Sequence, residues 1–539
     1  MLESQDPHFN LWTAPWITLE RPDGGVDRLG LADTLQRAQE FVALYDSSPL
    51  VIAGIHRLLT AIAQAICNPQ RPNDLKALWH ADGFPADRVA AFGARYADRF
   101  DLFSETAPFF QSADLPLHPG KAEQSKLKSV SQLTVETSRS TALQHYRHGR
   151  EMDEQFCPVC AARGLVTIPM FITSGGRGLK PSINGEPPLY MLPGGATLYQ
   201  SLIASVLLPD YQPVVRAQSD TPWWEHAPVV TSGDVEDIGY LYSLTFPARR
   251  VRLIPEVPTG PCTRCGENSQ WGIRVMFFEA GECRSNEAKA TQFWQDPFVA
   301  YRQSGDKKPV PIRSQAGKSQ SGKPQVSKAL WREFVGLLVS QSKGNKAALR
   351  PRVLDQIVDL DLAIDWPIYP VRCIAPRTRL GQPKFFEWID AGFEVPPVVL
   401  RDADVAYHIS QALEFAEDCE KELMAVFQQH FGGKFKKTER NQHLKWQMSE
   451  AYWSALAEPF RFYMLALGAA ETPAARMPET GCWADTVVAT AMQAFKQAAD
   501  SIGDDAASLR QRVQGEDRCR FMLNVKRKKF QIGSNSGKE

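Results

Sequence analysis

Two Cys-x-x-Cys pairs that lie about a hundred residues apart limit the folds open to this chain. They are Cys157-Pro-Val-Cys160 and Cys262-Thr-Arg-Cys265. Each pair offers two thiolates from one tight turn, and two pairs supply the four tetrahedral ligands of a structural zinc ion. We therefore predict one four-cysteine zinc site that leaves no coordination position open for chemistry. The alternatives are a redox Cys-x-x-Cys, although no thioredoxin-like context surrounds either pair, or two unrelated turns.

The length and charge of the chain limit its domain organisation and its possible partners. The chain has 539 residues, too many for one hydrophobic core, so we expect several domains. The 61 basic residues balance 61 acidic ones, so an argument for nucleic-acid binding must rest on local patches. No uninterrupted apolar run reaches the roughly 18 residues of a membrane span, and the N-terminus carries no apolar signal segment. We expect a cytoplasmic protein with reduced thiols and no membrane partner.

The residue pattern predicts an α+β protein in three parts. Residues 1–400 mix short strands, helices and turns, and are expected to form a large α/β domain that contains the zinc site. Residues 401–530 place apolar residues at helical spacing in four segments, which predicts a C-terminal four-helix bundle. Pro459 falls inside the second of these helices and is expected to kink or break it. Residues 531–539 are expected to form a disordered tail.

Local patterns in the large domain give four further predictions. Leu31 to Tyr45 is predicted to be a helix. Pro49 to Ile66 is predicted to be a second helix, because its apolar residues form one stripe. Phe9 to Ile17 is apolar and aromatic and predicts a strand. Ile238 to Arg252 alternates apolar and polar residues and also predicts a strand.

A glycine loop follows the first cysteine pair. It consists of Ser174, Gly175, Gly176, Arg177 and Gly178. Backbone without side chains can approach a groove or a phosphate closely, and Arg177 adds a positive charge. The loop is therefore a candidate nucleic-acid contact, and a plain connecting turn is the alternative.

A basic insert, residues 302–328, is a second candidate contact. It includes Lys318 and Lys323, and Asp306 is its one acidic residue. Such a segment can follow a phosphate backbone, and a solvated loop is the alternative. The stretch from Gly317 to Lys323 nearly matches a P-loop, but Pro324 follows where Ser or Thr is required. We therefore reject nucleotide binding by this stretch.

Signals for catalysis are missing. The sequence has no His-Glu-x-x-His, no Gly-x-Ser-x-Gly and no adjacent His–Asp pair. Three carboxylates lie close together in the sequence, but a helix N-cap and a solvent-exposed face explain them without catalysis. They are Asp359, Asp361 and Asp365. We therefore predict that the protein is not an enzyme, and a hydrolase with a non-standard site remains an alternative.

An ordered set of motifs resembles the CasA family, the large subunit of the type I-E CRISPR Cascade complex. The set comprises Phe9–Ile17, Pro108–Gln111, the two cysteine pairs, Phe293–Pro297, Arg377–Lys384 and the helical C-terminal region. The resemblance implies a non-catalytic subunit whose partners are other Cascade subunits, CRISPR RNA, double-stranded DNA and a helicase-nuclease. In RNA-guided systems base pairing reads the target, and protein reads only a short protospacer-adjacent motif, the PAM.

The resemblance also implies roles for individual residues. The glycine loop would read the PAM from the minor groove. Gln382 would be a wedge that enters the duplex beside the PAM and starts strand separation. Gly381, Arg379 and Lys384 lie next to it and are further candidate DNA contacts. Gly381, Pro383 and an apparent insertion at Arg379-Leu380 depart from the family pattern, so PAM choice is expected to differ.

Two more family contacts have candidate positions here. Trp271 to Arg284 matches a hairpin that carries a lysine in the family, but Glu279, Ala280 and Gly281 lie near its expected tip. Either Arg274 or Arg284 would substitute for the lysine, or the contact would be lost. The long loop before Cys157 resembles the loop that docks onto CRISPR RNA, and its candidate residues are Arg139, Thr141, Leu143 and His145. The alternative function is a zinc-stabilised RNA-binding or scaffold subunit of another ribonucleoprotein.

Overall fold

The computed structural model of the chain divides into two units. Residues 6–135, 154–173, 179–214, 220–236, 238–284, 294–302, 308–313, 315–316, 331, 348–379, 382–431 and 439–536 are described. The first unit comprises Met1–Gln325, Gln341–Leu362 and Pro370–Gly392. The second unit comprises Val326–Ser340, Ala363–Tyr369 and Phe393–Glu539. The mixed α+β class predicted from the sequence is confirmed, and the domain bounds at 400 and 530 stay predictions.

Short helices and small sheets make up the first unit. Its helices are α1 (Leu31–Gln36), α2 (Pro49–Cys67), α3 (Pro72–Trp79), α4 (Ala86–Tyr96), α5 (Lys121–Gln124), α6 (Pro158–Leu165), α7 (Ile168–Phe171), α8 (Leu198–Ile203), α9 (Tyr240–Leu244) and α10 (Arg352–Asp359). The strands are β1 (Ile17–Glu20), β2 (Val26–Leu29), β3 (Ala43–Leu44), β4 (Lys128–Ser129), β5 (Tyr190–Pro193), β6 (Gly233–Val235), β7 (Arg249–Glu256), β8 (Gly272–Ala280), β9 (Glu282–Arg284), β10 (Tyr301–Arg302), β11 (Val310–Pro311), β12 (Gln315–Ala316), β13 (Ala348–Leu349), β14 (Tyr369–Arg379) and β15 (Gln382–Val395).

Two sheets position the candidate sites. In one sheet β8 lies between β4 and β7 and pairs antiparallel with both. In the other, β14 pairs along one edge with β15 and along the other with β5 and β12. The remaining strands form the sheets β2-β1-β3 and β11-β10-β13 and the parallel pair β6-β9.

Helix α2 is the centre of the first unit. It contacts α4, α6, α7, α8 and α9, and nearly every residue of it is buried. Its length and composition would also allow a membrane span, but 94% of the apolar window is buried within the unit, as in a core helix. Two of its polar side chains have internal partners: Arg57 pairs with Asp296 at 3.1 Å, and His56 Nε2 lies 2.9 Å from Ser205 Oγ. The predicted helix from Pro49 is confirmed.

Two other local predictions are wrong in their bounds. The helix from Leu31 ends at Gln36, and Ala43–Leu44 instead pairs with β1 as a strand. The aromatic opening forms a strand only from Ile17, because Asn10 accepts hydrogen bonds from the backbone of Trp12, Thr13 and Ala14 and holds a turn.

The predicted strand at Ile238–Arg252 is also wrong. Tyr240–Leu244 is a short helix, and the strand begins at Arg249. The cause is a cap from outside the segment: the Asp220 carboxylate accepts hydrogen bonds from the N–H groups of Leu241 and Tyr242. A carboxylate at these N–H groups stabilises a helix start.

Long helices form most of the second unit. They follow a short helix, α11 (Pro397–Arg401), and are α12 (Ala403–Phe431), α13 (Glu439–Ala469), α14 (Pro473–Asp500) and α15 (Ala506–Ser536). Helix α12 contacts each of the other three, α13 packs on α14, and α14 packs on α15. Tyr452, Trp483 and Phe495 are among the large side chains buried there. The predicted helical C-terminal region is confirmed.

Two expectations about these helices need correction. Helix α13 continues through Pro459, so the expected break does not occur, and a kink there stays a prediction. Helix α15 continues to Ser536, so most of the expected tail at 531–539 is helical. The Phe530 ring stacks on Phe415 at 4.5 Å, and Lys526 reaches the acidic side chains of α12, so contacts with α12 hold the end of α15.

Candidate metal centre and nucleic-acid interface

The first cysteine pair lies at the start of α6. Cys157 is the N-cap residue, and its Sγ accepts a hydrogen bond from the Cys160 N–H at 3.4 Å. Pro158 occupies the first helical position, where a missing N–H costs nothing. The preceding residue, Phe156, bridges to Ile273 of β8. The pair is therefore fixed to the sheet edge on one side and to a helix on the other.

The second cysteine pair lies in the connection between β7 and β8. The Gly266 N–H donates to the Cys262 carbonyl at 2.8 Å, and Gly266 adopts a positive φ of 78° that closes the turn. Gln155 joins the two pairs: its carbonyl accepts from the Thr263 N–H, and its side chain donates to the Gly260 carbonyl. These bonds bring the turn of the second pair against the first.

The four cysteine sulfurs form one cluster. All four Sγ atoms lie within 4.8 Å of one another, and the Cys157 and Cys265 sulfurs are 3.7 Å apart. Four ligands at a zinc–sulfur distance of about 2.3 Å in a tetrahedron are separated by about 3.8 Å. Cys157, Cys160 and Cys262 are buried and Cys265 is exposed. The donor set and spacing therefore fit a closed, structural site with four thiolate ligands, as expected from the sequence.

Charge within the cluster also favours a cation. Hydrogen bonds from the Cys157 and Cys160 thiols lower the pKa of Cys262. Hydrogen bonds to Cys157 and Cys262 raise the pKa of Cys160. Packed thiols cannot all ionise together unless a positive charge replaces their protons. No other group of three or more close His, Cys, Asp or Glu ligand atoms occurs in the described part of the chain.

The hairpin of β14 and β15 carries the candidate wedge. Arg379 ends β14 and Gln382 begins β15, and the two strands are neighbours in the sheet. Farther from the turn, Arg372 forms a two-bond ion pair with Asp390 at 2.7 Å, and Arg377 pairs with Glu387. These cross-strand pairs and the pairing of β14 with β5 support the hairpin on two sides. The backbone of Gln382 thus lies at the first position of β15, in a long strand pair that cross-strand ion pairs stabilise.

Several candidate residues lie outside the described residues. They are Ser174, Gly175, Gly176, Arg177, Gly178, Gly381, Lys318, Lys323, Arg139, Thr141, Leu143 and His145. Lys384 lies two residues into β15. The roles proposed for all these residues stay predictions.

Arg249 is a residue that the sequence reasoning missed. Its guanidinium donates to the Thr173 carbonyl at 2.7 Å and to the Lys180 carbonyl at 2.6 Å. Thr173 and Lys180 stand on either side of the glycine loop, so one buried side chain from β7 fixes both of its ends. The partners are backbone atoms some seventy residues away (69 and 76), and no residue pattern could have revealed them.

The expected hairpin at Trp271–Arg284 does not form. Strand β8 pairs with β7, and β9 pairs with β6. A Cβ on Gly281 would lie 2.3 Å from the Pro247 carbonyl oxygen, so this position is packed and not a free tip. Arg274 is ion-paired with Glu256 at 2.9 Å, and Arg284 is buried with its guanidinium 5.6 Å from the Trp294 ring. Neither arginine forms the exposed finger that the resemblance implied.

The fold and the candidate site together define a protein with two units. The first is an α+β unit that contains the four-cysteine cluster and the β14–β15 strand pair, and the second consists mainly of long helices. The chain belongs to the CRISPR-associated protein Cse1 family, whose model matches residues 10–494. The family membership predicted from the motifs is therefore confirmed.

Known relatives agree with this assignment. CasA/Cse1 of Thermus thermophilus is 30% identical over 354 residues, which cover 63% of this chain and 62% of that relative. Among solved structures, Cse1 of Acidimicrobium ferrooxidans has a TM-score of 0.77 at 22% identity, covering 98% of this chain and 100% of that one. A chain described as "CRISPR RNA-guided surveillance complex" has a TM-score of 0.69 at 19% identity, covering 96% and 100%.

Proposed function

We propose that this chain is the large, non-catalytic subunit of a type I-E CRISPR surveillance complex. The family match along residues 10–494 carries the proposal. A similar fold in a structure described as an RNA-guided surveillance complex supports it. The partners would be the other Cascade subunits and CRISPR RNA. In this proposal the four long helices form a four-helix bundle, and the protein works in the cytoplasm.

The proposed task is to recognise the PAM in duplex DNA and to start strand separation. The glycine loop would enter the minor groove, with Arg249 fixing the backbone on either side of it. Gln382, beside the hairpin turn, would enter the duplex as a wedge, since its planar amide can stack on a base pair and bond to an exposed edge. Unstacking costs a few kcal/mol, which new protein contacts would offset.

The metal centre would act structurally in this function. Zinc bound by Cys157, Cys160, Cys262 and Cys265 would supply only cross-linking of two chain segments, because all four positions are filled by protein. The four-cysteine site joins the start of α6, which lies shortly before the glycine loop, to the connection between β7 and β8. The zinc would therefore hold the segment that precedes the glycine loop at a fixed position relative to β7, the strand that carries Arg249. Opened DNA would then be passed to a helicase-nuclease that the complex helps to recruit.

A comparison of PAM-containing and PAM-free DNA tests the proposal. The reconstituted complex would be mixed with duplexes that differ only in the PAM, and binding measured on filters. We expect binding that depends on those bases. Affinity that ignores the bases would overturn the PAM role and favour the RNA-binding or scaffold alternative. Metal-dependent cleavage by the isolated chain would instead favour the hydrolase alternative.

The wedge has its own test. Gln382→Ala should slow R-loop formation about tenfold or more while leaving initial duplex binding within about twofold, because the wedge acts only after contact. Permanganate footprinting of unpaired thymines would follow the opening step. Gln124→Ala, the same change at an exposed position of α5, is the control. Normal opening in the Gln382→Ala complex would remove the wedge assignment.

A further inference from the structure

The hairpin of β1 and β2 is connected to both halves of the four-cysteine cluster. Its strands pair antiparallel, from Ile17 opposite Leu29 to Glu20 opposite Val26. It contributes no cysteine, and the proposed function gives it no task. Two arginines nevertheless join it to the cluster, one for each cysteine pair.

Arg163 joins the first cysteine pair to β1. It lies in α6, three residues after Cys160. Its Nε and Nη2 atoms donate to the Trp16 carbonyl at 3.0 and 2.8 Å, and Nη2 also donates to the Thr18 hydroxyl at 2.8 Å. Its Nη1 pairs with Asp46 at 3.2 Å, and both of these side chains are largely buried. The helix that begins at the first cysteine pair is therefore held against the hairpin.

Arg28 of β2 joins the second cysteine pair to the hairpin. Its two Nη atoms donate to the two carboxylate oxygens of Glu267 at 2.7 and 2.8 Å. Such a two-bond pair fixes direction as well as distance. Glu267 follows Cys265 by two residues, and its carbonyl accepts the Cys262 N–H at 2.9 Å. The carboxylate that Arg28 holds thus belongs to the residue that closes the turn of the second pair.

The charge of Arg28 also bears on the cluster. Four thiolates and one zinc ion would leave a net charge of about −2, and Glu267 would add a further negative charge beside them. The pKa of Arg28 is raised first by its hydrogen bonds to Glu267 and further by the negative charges of Cys265 and Cys157. Arg28 in turn holds the pKa of Glu267 below its usual range, against the charge of Cys262. The guanidinium therefore cancels a carboxylate charge that would repel the thiolates.

We propose that the β1–β2 hairpin is a third segment of the metal centre, in which Arg28 is a positioning residue for the turn of the second cysteine pair. This inference rests on the proposed zinc site. Arg28 acts on the site through Glu267, by fixing the carboxylate and by cancelling its charge. Without Arg28 all four ligands remain, but the turn that carries the exposed Cys265 is less restrained, and the metal leaves faster.

The rate of zinc release from the full-length chain tests the proposal. A chromophoric chelator in excess would take up the released zinc. Arg28→Gln should release zinc about fivefold faster than the wild type, because partners outside the ligand set tune metal affinity. Arg21→Gln is the matched control: Arg21 has a similar exposure but pairs with Asp27 of the same hairpin, so its loss should change the rate less than twofold.

The melting temperature separates positioning of the ligands from general support of the fold. Arg28 and Glu267 are both partly exposed, and an exposed ion pair contributes little to folding free energy. The melting temperature of Arg28→Gln with zinc bound should therefore stay within about 2 °C of the wild type, and cobalt(II) should still bind at one ion per chain with the visible spectrum of a four-thiolate site. Arg28→Lys keeps the charge but not the two-bond geometry, so its release rate should lie between those of the wild type and Arg28→Gln.

A double variant tests the charge of Glu267 directly. In Arg28→Gln/Glu267→Gln no uncompensated carboxylate remains beside the thiolates, so zinc should leave more slowly than from Arg28→Gln alone. Equal release rates for Arg28→Gln and Arg21→Gln, or no rescue in the double variant, would overturn the role of Arg28 and leave the zinc site standing. A wild-type chain that holds no zinc would overturn both.

Discussion

At the scale of single residues, Cys262 joins the two chain segments of the metal centre. Its N–H donates to the Glu267 carbonyl at 2.9 Å, and its Sγ accepts a hydrogen bond from the Cys157 N–H at 3.3 Å. The two partners come from the second turn and from the start of α6. Loss of this one thiolate therefore removes a metal ligand and also a direct bond between the two segments.

Cys262→Ser should release zinc and destabilise the first unit. Binding of a structural zinc ion is itself folding free energy, so its loss should lower the melting temperature by about 5 °C or more. Elemental analysis of zinc per chain and scanning calorimetry would measure the two effects. Cys482→Ser, an exposed cysteine in the second unit, is the matched control. Unchanged zinc content would rule out a four-cysteine site.

His56 should make stability depend on pH. Burial in α2, together with the nearby Arg372 charge, lowers the pKa of His56 to about 4, below the ordinary value of 6.5. Between these values the unfolded chain binds more protons than the folded one. Stability should therefore rise as pH rises from about 4 to 6.5, by up to about 1.4 kcal/mol per pH unit from this residue.

Comparison with His56→Gln isolates this contribution. Urea unfolding between pH 4.5 and 7 would be measured for both proteins, and the wild type should show the steeper rise in that range. Asp220 acts in the opposite direction, since burial raises its pKa to about 6, but it is the same in both proteins and cancels in the difference. Parallel pH curves would show that His56 is not held neutral.

At the scale of elements, β7 connects the metal centre to the glycine loop. The strand starts at Arg249, which bonds to the backbone on both sides of the loop, and it ends shortly before the second cysteine pair. Helix α6 likewise begins at the first cysteine pair, before the loop. The segments that flank the loop are thus held by two attachments, one made by sulfur and one by a guanidinium.

Arg249→Gln should weaken PAM discrimination without abolishing DNA binding. A glutamine is too short to reach both Thr173 and Lys180, so one end of the glycine loop would no longer be fixed. We expect the ratio of PAM to PAM-free affinity to fall about tenfold as a result. Affinity for PAM and PAM-free duplexes in the reconstituted complex would measure this. Arg250→Gln, the adjacent residue, which pairs with Asp114 at 2.6 Å, is the control. Equal PAM preference in the two variants would contradict a positioning role for Arg249.

Elements formed by local patterns were predictable, and elements set by distant partners were not. The apolar stripe of α2 predicted its extent because its own residues form the core. Tyr240–Leu244 alternates like a strand, yet Asp220 caps it as a helix. The sequence predicts that Gly272–Ala280 pairs with the strand after Gly281. Its partner is instead β7, which lies before the second cysteine pair. The cysteine spacing predicts the cluster, because two Cys-x-x-Cys turns together supply the four ligands of one metal ion.

At the scale of the whole molecule, balanced charge conceals an uneven distribution. The 61 basic and 61 acidic residues cancel, but residues 302–328 contain Lys318, Lys323 and five more basic side chains against one acidic one. A chain with no net charge lacks long-range attraction for DNA, so any phosphate binding must come from such segments. This leads to a prediction about salt dependence.

Changing Lys318 and Lys323 together to Gln should reduce the salt dependence of DNA binding. Each phosphate contact contributes about 0.9 to the slope of log affinity against log salt concentration, so the double variant should lose about 1.8. The ratio of PAM to PAM-free affinity should stay the same, because phosphate contacts carry no sequence information. Filter binding across a salt series would measure both quantities, with Lys121→Gln/Lys126→Gln, two exposed lysines near α5, as the matched control. An unchanged slope would show that the basic insert is a solvated loop, and a changed PAM ratio would show that it lies in the recognition site itself.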